Sequence, residues 1–311
     1  MNVFNASLPF SYWILALIFF LGIGLTTIVF GIITSVILII CIYCEIIHVT
    51  PIIDAIEKCV LFFNPVYVQS VKSHLRESLL VEYEDGSPPE GPHLFLFHPH
   101  GVISVTNIFH VGTSTTDWLT RPIKGVVTKW LYWLPFAKEI LQRLNAVSAD
   151  YNEMKSVLEK NESLSLTLGG VKEIFYSEPN TMKLSIKNKM GAFRLALETG
   201  TPLVPVLSYG ENELFEISKN PLLMYLQRIL IQHGACLPIP TIKSCQAWFK
   251  IPWAPLETPI RTVVGSPIKV AKVLNPTSEQ IVALRETYFV ALKGLYKRTK
   301  PETYKNDLEI V

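Results

Sequence analysis

The sequence predicts an α/β domain built on a largely parallel sheet and preceded by an apolar membrane segment. Short apolar runs that end in Gly or Pro, as buried strands often do, alternate with longer segments of helical periodicity. Strands that alternate with helices favour one α/β domain over a parallel sheet. The membrane segment is predicted from composition, because 49% of the 311 residues are apolar and only 17% are charged, and residues 1–44 contain no charged side chain.

Residues 10–44 form one uninterrupted apolar stretch, far longer than the ~20 residues that a single helix needs to cross a bilayer. The stretch is also too long for a signal-peptide core and has no basic residue in front of it. It is either one long tilted helix or two short helices folded as a hairpin around Gly22–Gly24, and we favour the hairpin. We therefore divide the chain into a transmembrane anchor at residues 1–48 and one catalytic-size domain at residues 49–311.

Four strands and three helices are predicted within the second part. The strands are Leu94–Phe97, Ser165–Leu168, Leu203–Leu207 and Arg261–Val264, and the helices are Asn152–Lys160, Met190–Thr199 and Thr277–Arg298. The last helix is the clearest, because its apolar residues from Ile281 to Leu295 recur on one face. Thr277 and Gln280 have the spacing of a capping box at its start.

Charge and cysteine content exclude several classes of protein. The formal net charge is +2 without any basic run, so no nucleic-acid partner is predicted. The five cysteines form no disulfide framework. Two aromatic or weakly charged stretches, residues 128–141 and 221–240, suit a membrane surface, the protein core or the wall of a lipid tunnel.

The motif His98-Pro99-His100-Gly101 follows the first predicted strand directly. Reactive groups in α/β folds commonly stand just beyond the carboxyl end of a strand. Pro99 stiffens the turn, and Gly101 allows backbone or substrate to approach closely. Two imidazoles at such a place indicate proton transfer or metal binding, and we favour a general base because no third metal ligand accompanies the pair.

Other common catalytic motifs are absent from the sequence, which has no GxSxG, no GxxxxGK[ST] and no GxGxxG. The segment LTLGGVKEIFY places Gly169 and Gly170 after a strand, where their N–H groups would suit an oxyanion or a phosphate. Glu173, in the same segment, either orients a histidine or caps a helix.

Two further segments carry polar residues beside predicted elements. Glu211, Asn212 and Glu213 follow the strand at Leu203–Leu207 and form either part of the site or a solvated turn. Lys187, Lys189 and Arg194 surround a helix start, where they would hold a phosphate-rich group or form a solvated face.

These segments together resemble the type-2 diacylglycerol acyltransferase family, which includes monoacylglycerol and wax-alcohol acyltransferases. The resemblance runs from about residue 60 to about residue 300 and rests on four ordered motifs: FHPHG, LGGVKE, SIKNKMGAFRLALETGTPLVPVLSYGENELF and RTVVGSPI. The chain departs from the family at residues 64–69, which read NPVYVQ where a Tyr-Phe-Pro motif is usual, and at Leu168, where many members carry a basic residue.

The resemblance implies transfer of a fatty acyl group from acyl-CoA to a lipid hydroxyl, with no cofactor and no metal. His100 would be the general base, with His98 beside it, and Gly101 or the Gly169-Gly170 pair would hold the oxyanion. The phosphoglycerol acyltransferases orient their histidine with Asp in His-x4-Asp, but Ile103 and Val105 stand at those positions here. We therefore expect Glu173 or Glu211 to provide the orienting carboxylate. Substrate binding is assigned to Pro99, Asn212, Glu213, Lys187, Lys189 and Arg194.

The expected acceptor is a neutral lipid, diacylglycerol, because LGGVKE lacks the Arg that a phosphate-bearing acceptor would favour. Monoacylglycerol or a long-chain alcohol is the alternative acceptor, and a non-catalytic lipid-binding scaffold is the alternative class. The expected location is the endoplasmic reticulum membrane, with the catalytic domain in the cytosol and an association with lipid droplets open. Membrane-bound acyltransferases are commonly homodimers, so a homodimer is also open.

Overall fold

The computed structural model describes residues 79–112, 123–133, 141–142, 145–232 and 258–311. The predicted membrane segment at residues 10–44 and the boundary after residue 48 lie outside these ranges. Within them, no helix combines the length and apolar character needed to cross a membrane. The predicted surface stretch at residues 128–141 is described only in part.

The centre of the domain is a seven-stranded sheet in the order β1-β8-β7-β2-β5-β3-β4. The strands are β1 (Leu79–Tyr83), β2 (Leu94–His98), β3 (Ile123–Val127), β4 (Ala146–Ser148), β5 (Ser163–Thr167), β7 (Leu203–Tyr209) and β8 (Ile260–Val264). All neighbouring pairs are parallel except β7 and β8. The predicted mainly parallel sheet and its four predicted strands are thus confirmed, with ends shifted by one or two residues.

Two further strands, β6 (Lys183–Leu184) and β9 (Glu309–Ile310), form a separate parallel pair. Five α-helices accompany the strands in the described part of the chain: α1 (Val105–Gly112), α2 (Tyr151–Glu159), α3 (Gly191–Thr199), α4 (Pro221–Gln232) and α5 (Ser278–Thr299). Short 3-10 helices span Lys129–Trp133, Gly170–Tyr176 and Glu211–Glu213.

Helix α5 confirms its sequence prediction closely. Thr277 accepts the N–H of Gln280, and the Gln280 side chain accepts the N–H of Thr277, so the capping box is formed. The predicted inner face is buried at Ile281 and Leu295. The amphipathic pattern therefore predicted both the helix and the face that packs against the core.

The two faces of the sheet differ in what covers them. Leu94 and Leu96 of β2 belong to the main core, together with residues of α2, α3 and α5. Phe95 and Phe97 point to the opposite face, where they cluster with apolar residues of β3, β7 and β8. Helix α1 lies on this second face, and its His110 ring stands 6.3 Å from the ring of Phe97. Because β2 is buried on both sides, it is a rigid support for the loop that follows it.

Candidate active site

The carboxyl ends of three neighbouring strands meet at one edge of the sheet. Strand β2 lies between β7 and β5 and is parallel to both. The loops that follow these three strands therefore emerge side by side. They contain residues 98–101, Gly169 to Glu173, and Gly210 to Glu213, which are the segments that the sequence singled out.

His100 carries an imidazole whose tautomer is fixed by its surroundings. Its Nδ1 atom lies 3.2 Å from the carbonyl oxygen of Gly101. Because a carbonyl can only accept, Nδ1 carries the proton and Nε2 is left with its lone pair. Burial lowers the pKa of His100 below its ordinary value of 6.5, and the positive charge of Lys189 adds to this effect. The side chain is thus a neutral imidazole with Nε2 ready to accept a proton.

Glu173 binds the backbone of the histidine motif rather than its imidazole. Its Oε2 atom accepts the N–H of His100 at 2.7 Å, and its Oε1 atom accepts the N–H of Ser185 at 2.9 Å. The carboxyl group is only 1% exposed. Burial raises its pKa to about 7, while the two N–H donors and Lys189 act in the opposite direction. Glu173 therefore connects the loop after β2 to the segment at Ser185.

Glu211 holds the other end of the same loop. It accepts the N–H groups of Val105 and Thr106, at 2.7 and 3.1 Å, which are orphan donors at the start of α1. The interaction is favourable because a helix N-terminus attracts negative charge. Burial raises the pKa of Glu211 to about 7. The two carboxylates, one from each neighbouring strand, thus fix the loop on both sides of Gly101.

Two glycines allow these contacts. Gly101 has a φ of +60°, and a Cβ there would come 3.1 Å from the Cγ atom of Glu211. At Gly169 a Cβ would lie 1.8 Å from the Oε1 atom of Glu173, so any side chain would displace the carboxylate. Gly170 has a φ of +64° and open space around it. Gly101 and Gly169, two of the predicted oxyanion glycines, are therefore close to the carboxylates that hold the loop.

His98 is turned into the protein. Its peptide bond to Pro99 is cis, its side chain is fully buried, and its Nε2 atom pairs with the hydroxyl of Tyr288 on α5 at 2.8 Å. Burial lowers the pKa of His98 to about 3, so the ring is neutral. Among the described residues, its Nδ1 atom has no hydrogen-bond partner. The two histidines of the motif therefore occupy different environments.

The remaining polar residues after β7 connect loops to one another. Asn212 accepts from the Ser177 hydroxyl at 2.9 Å and donates to the carbonyl of Thr181 at 3.0 Å. Glu213 accepts the N–H of Asn180 at 2.6 Å and the hydroxyl of Tyr304 at 3.1 Å. Both side chains, which were predicted to bind substrate, form hydrogen bonds to other loops of the protein.

The three predicted basic residues are not equivalent. Lys189 is half-buried and lies near enough to His100 and Glu173 to affect the pKa of each. Its own pKa is lowered by burial and by Lys172. Lys187 is exposed, and Arg194 pairs with Glu198 at 3.3 Å on the outside of α3. Lys189 is therefore the basic residue that the structure brings to the histidine loop.

Sequence reasoning missed several supports of the site. Tyr288 lies on the predicted inner face of α5, but nothing in the sequence pairs it with His98. A polar cluster also joins α1 to β5, where Asn107 donates to Thr167 at 3.1 Å and accepts from Ser165 at 2.5 Å. The only signal for this cluster was the alternation of polar residues along Ser163–Thr167. No group of three His, Cys, Asp or Glu that could hold a metal occurs within the described ranges.

Proteins of similar sequence identify the class of this chain, because they are named acyltransferases. The chain belongs to the diacylglycerol acyltransferase family, whose model matches residues 30–310. The resemblance found in the four motifs is thereby confirmed.

Individual relatives cover most of the chain. The mouse 2-acylglycerol O-acyltransferase 1 is 34% identical over 71% of this chain and 69% of its own length. The human 2-acylglycerol O-acyltransferase 1 is 30% identical, also over 71% and 69%. Diacylglycerol O-acyltransferase 2 of Dictyostelium discoideum is 27% identical over 68% and 67%. Among solved structures, the 1-acyl-sn-glycerophosphate acyltransferase PlsC of Thermotoga maritima matches 86% of this chain and 99% of its own, with 14% identity and a TM-score of 0.43. The family match and the named relatives identify the chain as an acylglycerol O-acyltransferase.

Proposed function

We propose that this enzyme transfers a fatty acyl group from acyl-CoA to the free hydroxyl of diacylglycerol, with His100 as the general base. The observation that carries the proposal is the 3.2 Å contact between Nδ1 of His100 and the carbonyl oxygen of Gly101. Its Nδ1–H is directed to the Gly101 carbonyl, so Nε2 is the atom that accepts a proton. A neutral imidazole is the form that a general base requires.

The reaction proceeds by direct transfer. Nε2 of His100 takes the proton of the acceptor hydroxyl while the hydroxyl oxygen attacks the thioester carbonyl. The bond between the carbonyl carbon and sulfur then breaks, and CoA leaves as a thiolate, which needs little help because thiols have a pKa of ~8.5. The imidazolium afterwards returns its proton to solvent or to the thiolate. The products are triacylglycerol and CoA.

The oxyanion of the tetrahedral intermediate is assigned to backbone N–H groups. The N–H of His100 is already bound to Glu173, so it is not free for this role. Gly101 and the Gly169-Gly170 pair remain, as the sequence predicted, and the positive φ of Gly101 supports an unusual N–H direction there. Lys189 adds positive charge near the same place and would attract the phosphates of acyl-CoA.

Glu173 and Glu211 act on the position of the base, not on its proton. Each binds backbone N–H groups on one side of Gly101. The loop that carries the imidazole is thereby held against reorientation when substrate enters. The proposed location is the endoplasmic reticulum membrane, with this domain facing the cytosol and the lipid acceptor supplied by the bilayer.

2-Monoacylglycerol is the second candidate acceptor. It is favoured by one observation, namely that relatives at 30–34% identity are named 2-acylglycerol O-acyltransferases. Both acceptors present a hydroxyl on a glycerol backbone, and the proposed chemistry is the same for either.

An acceptor panel tests the proposal. Membranes from cells without triacylglycerol synthesis would carry the wild type or His100→Ala and receive labelled oleoyl-CoA with diacylglycerol, 2-monoacylglycerol, hexadecanol or lysophosphatidate. We expect triacylglycerol from the wild type and at least a 10²-fold loss in His100→Ala, which is the usual contribution of a general base. Normal activity in His100→Ala would instead favour a different base, and no product from any acceptor would favour the lipid-binding scaffold.

A further inference from the structure

A tyrosine of the last helix contacts the first residue of the histidine loop, residues 98–101. Tyr288 of α5 is fully buried, and its hydroxyl lies 2.8 Å from Nε2 of the equally buried His98. Burial lowers the pKa of His98 and raises the pKa of Tyr288, so the contact is a hydrogen bond between two neutral groups. Among the residues that the structure describes, the Tyr288 hydroxyl is the one hydrogen-bond partner of this imidazole, since Nδ1 has none. The proposed chemistry gives Tyr288 no role.

The aromatic core fixes the direction of the Tyr288 ring. Its centre lies 5.5 Å from the ring centre of Phe193 on α3 and 6.4 Å from that of Phe289, the next residue of α5. All three side chains are buried and belong to the main hydrophobic core. Closely packed interiors leave little room for a ring to shift. The core therefore sets where the hydroxyl stands, and the hydroxyl in turn holds the His98 ring.

The tyrosine contact holds the histidine loop from the face of the sheet opposite to α1. His98 ends β2 and shares a face of that strand with Leu96, because side chains alternate along a strand. Leu96 packs in the main core, whereas α1 covers the other face. Glu173 and Glu211 bind peptide N–H groups of the loop and of the start of α1. Tyr288 is thus a third attachment, and it binds a side chain where the two carboxylates bind the backbone.

Loss of the Tyr288 hydroxyl would leave both ring nitrogens of His98 without a described partner in a place closed to water. Buried polar atoms without partners are costly, so the ring is expected to move toward another partner. Only Pro99 separates His98 from His100, and its fixed φ limits how far the backbone can absorb such a movement. A displacement of about 1 Å at a catalytic group lowers the rate by up to about 10²-fold.

We propose that Tyr288 is a positioning residue for acyl transfer, whose hydroxyl holds His98 and thereby fixes the direction of the His100 imidazole. Tyr288 and His98 are both 0% exposed, so neither meets the substrate in this role. The contact therefore affects the transfer step and leaves substrate binding as it is. The inference rests on the proposed function, because it takes His100 as the base.

Tyr288→Phe in the full chain tests this role, since the variant keeps the ring and loses only the hydroxyl. With oleoyl-CoA and the acceptor that the wild type uses, we expect kcat to fall by about 10- to 100-fold while KM stays within about twofold of the wild type. The acidic limb of the pH profile should stay in place, because the protonation of His100 is not altered.

Tyr296→Phe is the matched control for this substitution. Tyr296 lies on the same helix, is 1% exposed, and donates its hydroxyl to the Asn306 carbonyl at 2.8 Å, away from the histidine loop. The control therefore also removes the hydroxyl of a buried, hydrogen-bonded tyrosine. We expect its kcat, KM and pH profile to equal those of the wild type.

Two further measurements identify the hydrogen bond as the cause. Replacing Tyr288 with 4-aminophenylalanine puts an amine in place of the hydroxyl, and kcat should recover to within about threefold of the wild type. Hydrogen exchange of the His100 amide, which is bound to Glu173, reports on the loop without using activity. This exchange should be faster in Tyr288→Phe and unchanged in Tyr296→Phe.

Several outcomes would overturn the proposal. Wild-type kcat in Tyr288→Phe would do so even if the His100 amide exchanges faster. Equal losses of kcat in Tyr288→Phe and Tyr296→Phe, or no recovery with 4-aminophenylalanine, would assign the effect to packing and stability. A shifted acidic limb would mean that Tyr288 acts on the protonation of the base, and a raised KM would mean that it acts on substrate binding.

The base itself is tested separately by His100→Ala. Full activity in His100→Ala would defeat the proposed function, whatever Tyr288→Phe does. An inactive His100→Ala beside a fully active Tyr288→Phe would defeat only the positioning role and leave the base in place.

Discussion

At the scale of single residues, the two buried glutamates bind peptide groups and not the imidazole. Glu173 and Glu211 accept three N–H groups from the loop and helix around Gly101. The imidazole of His100 makes its own contact to the Gly101 carbonyl. In the proposed mechanism, the glutamates therefore position His100, whereas the Gly101 carbonyl determines which ring nitrogen carries the proton.

The substitution Gly169→Ala tests the role of Glu173. A Cβ at residue 169 would occupy the place of the carboxylate, which must then move away from His100 and Ser185. We expect a stability loss of about 1–3 kcal/mol from the two unsatisfied N–H groups, and a large loss of kcat. Denaturant unfolding and acyl transfer would be measured on the same preparation.

Gly191→Ala is the matched control for this substitution. Gly191 begins α3 and has open space around it, so alanine should stabilise the helix by up to about 1 kcal/mol without affecting kcat. Full activity in Gly169→Ala would show that the contact between Glu173 and His100 is dispensable.

The pH dependence of kcat/KM reports on His100. Because burial and Lys189 both lower its pKa, the acidic limb of the profile should lie below pH 6.5. Lys189→Gln removes a positive charge that disfavours the imidazolium, so the limb should move to higher pH. Lys293→Gln, on the exposed side of α5, should leave it in place. A limb that is unchanged in Lys189→Gln would mean that this lysine does not act on the base.

The sequence predicted which residues meet at the site but not how they touch. His100, Glu173 and Glu211 were each placed after a strand, and the parallel order of β5, β2 and β7 brings them together. Whether a carboxylate binds a ring nitrogen or a peptide N–H depends on the conformation of the loop, which no residue pattern encodes. The catalytic role of these residues remains a prediction.

At the scale of elements, a two-stranded pair supports the site from outside the main sheet. Strand β9 pairs with β6 through the N–H of Glu309, which donates to Met182 at 2.9 Å. Ser185, the second donor to Glu173, comes directly after β6. The position of the Glu173 carboxylate therefore depends on residues more than a hundred positions away in sequence.

The substitution Glu309→Pro removes this N–H and should loosen β6. We expect lower kcat and a cost of up to about 3 kcal/mol, since proline also restricts the backbone. Glu309→Ala keeps the N–H and loses only the exposed pair with Lys183, so its cost should stay below about 1 kcal/mol. Hydrogen exchange of the Ser185 amide and acyl transfer rates would separate the two variants. Equal rates in both would show that β9 does not support the site.

Long elements were predicted from their patterns, whereas short ones were not. Helix α5 has several turns of one-sided apolar periodicity, and its start is marked by a capping box. Strands β6 and β9 have two residues each, too few to show any period, and they form because the segments are held together by tertiary contacts. The same limit applies to the 3-10 helix that carries Glu173.

At the scale of the whole molecule, buried acids and buried histidines make opposite contributions to acid stability. The folded pKa values of Glu173 and Glu211 are about 7, above the ordinary 4.5. The stabilisation that each protonated acid contributes to the folded protein is therefore lost as the pH rises from about 4.5 to 7. The folded pKa values of His98 and His110 are about 3 and 4, below the ordinary 6.5. The stabilisation that each neutral imidazole contributes to the folded protein is therefore lost as the pH falls below 6.5. Between about pH 4.5 and 6.5 the two effects oppose each other.

Removing one acid should shift this balance. In the wild type, protonation of Glu211 in the folded state adds to the free energy of unfolding as the pH falls from 6.5 to 4.5. Glu211→Gln removes this gain, so its free energy of unfolding should decline more steeply than that of the wild type over the same range, by about 1.4 kcal/mol per pH unit. Denaturant midpoints at these two pH values would measure it, with Glu178→Gln as an exposed control. Parallel curves for wild type and Glu211→Gln would show that Glu211 is ionised throughout this range.

The arrangement of β2 between β5 and β7 also sets the order in which the enzyme becomes competent during its synthesis. His100 leaves the ribosome more than a hundred residues before Glu211. At about 5–20 residues per second, this interval lasts roughly 5–20 s. During that time β2 lacks its later neighbour β7. For the first 73 residues of the interval neither carboxylate has been made, and for the rest of it only Glu173 is available to hold the histidine loop. Until residues 203–213 have been made, the nascent chain therefore lacks both β7 and the carboxylate that binds the start of α1.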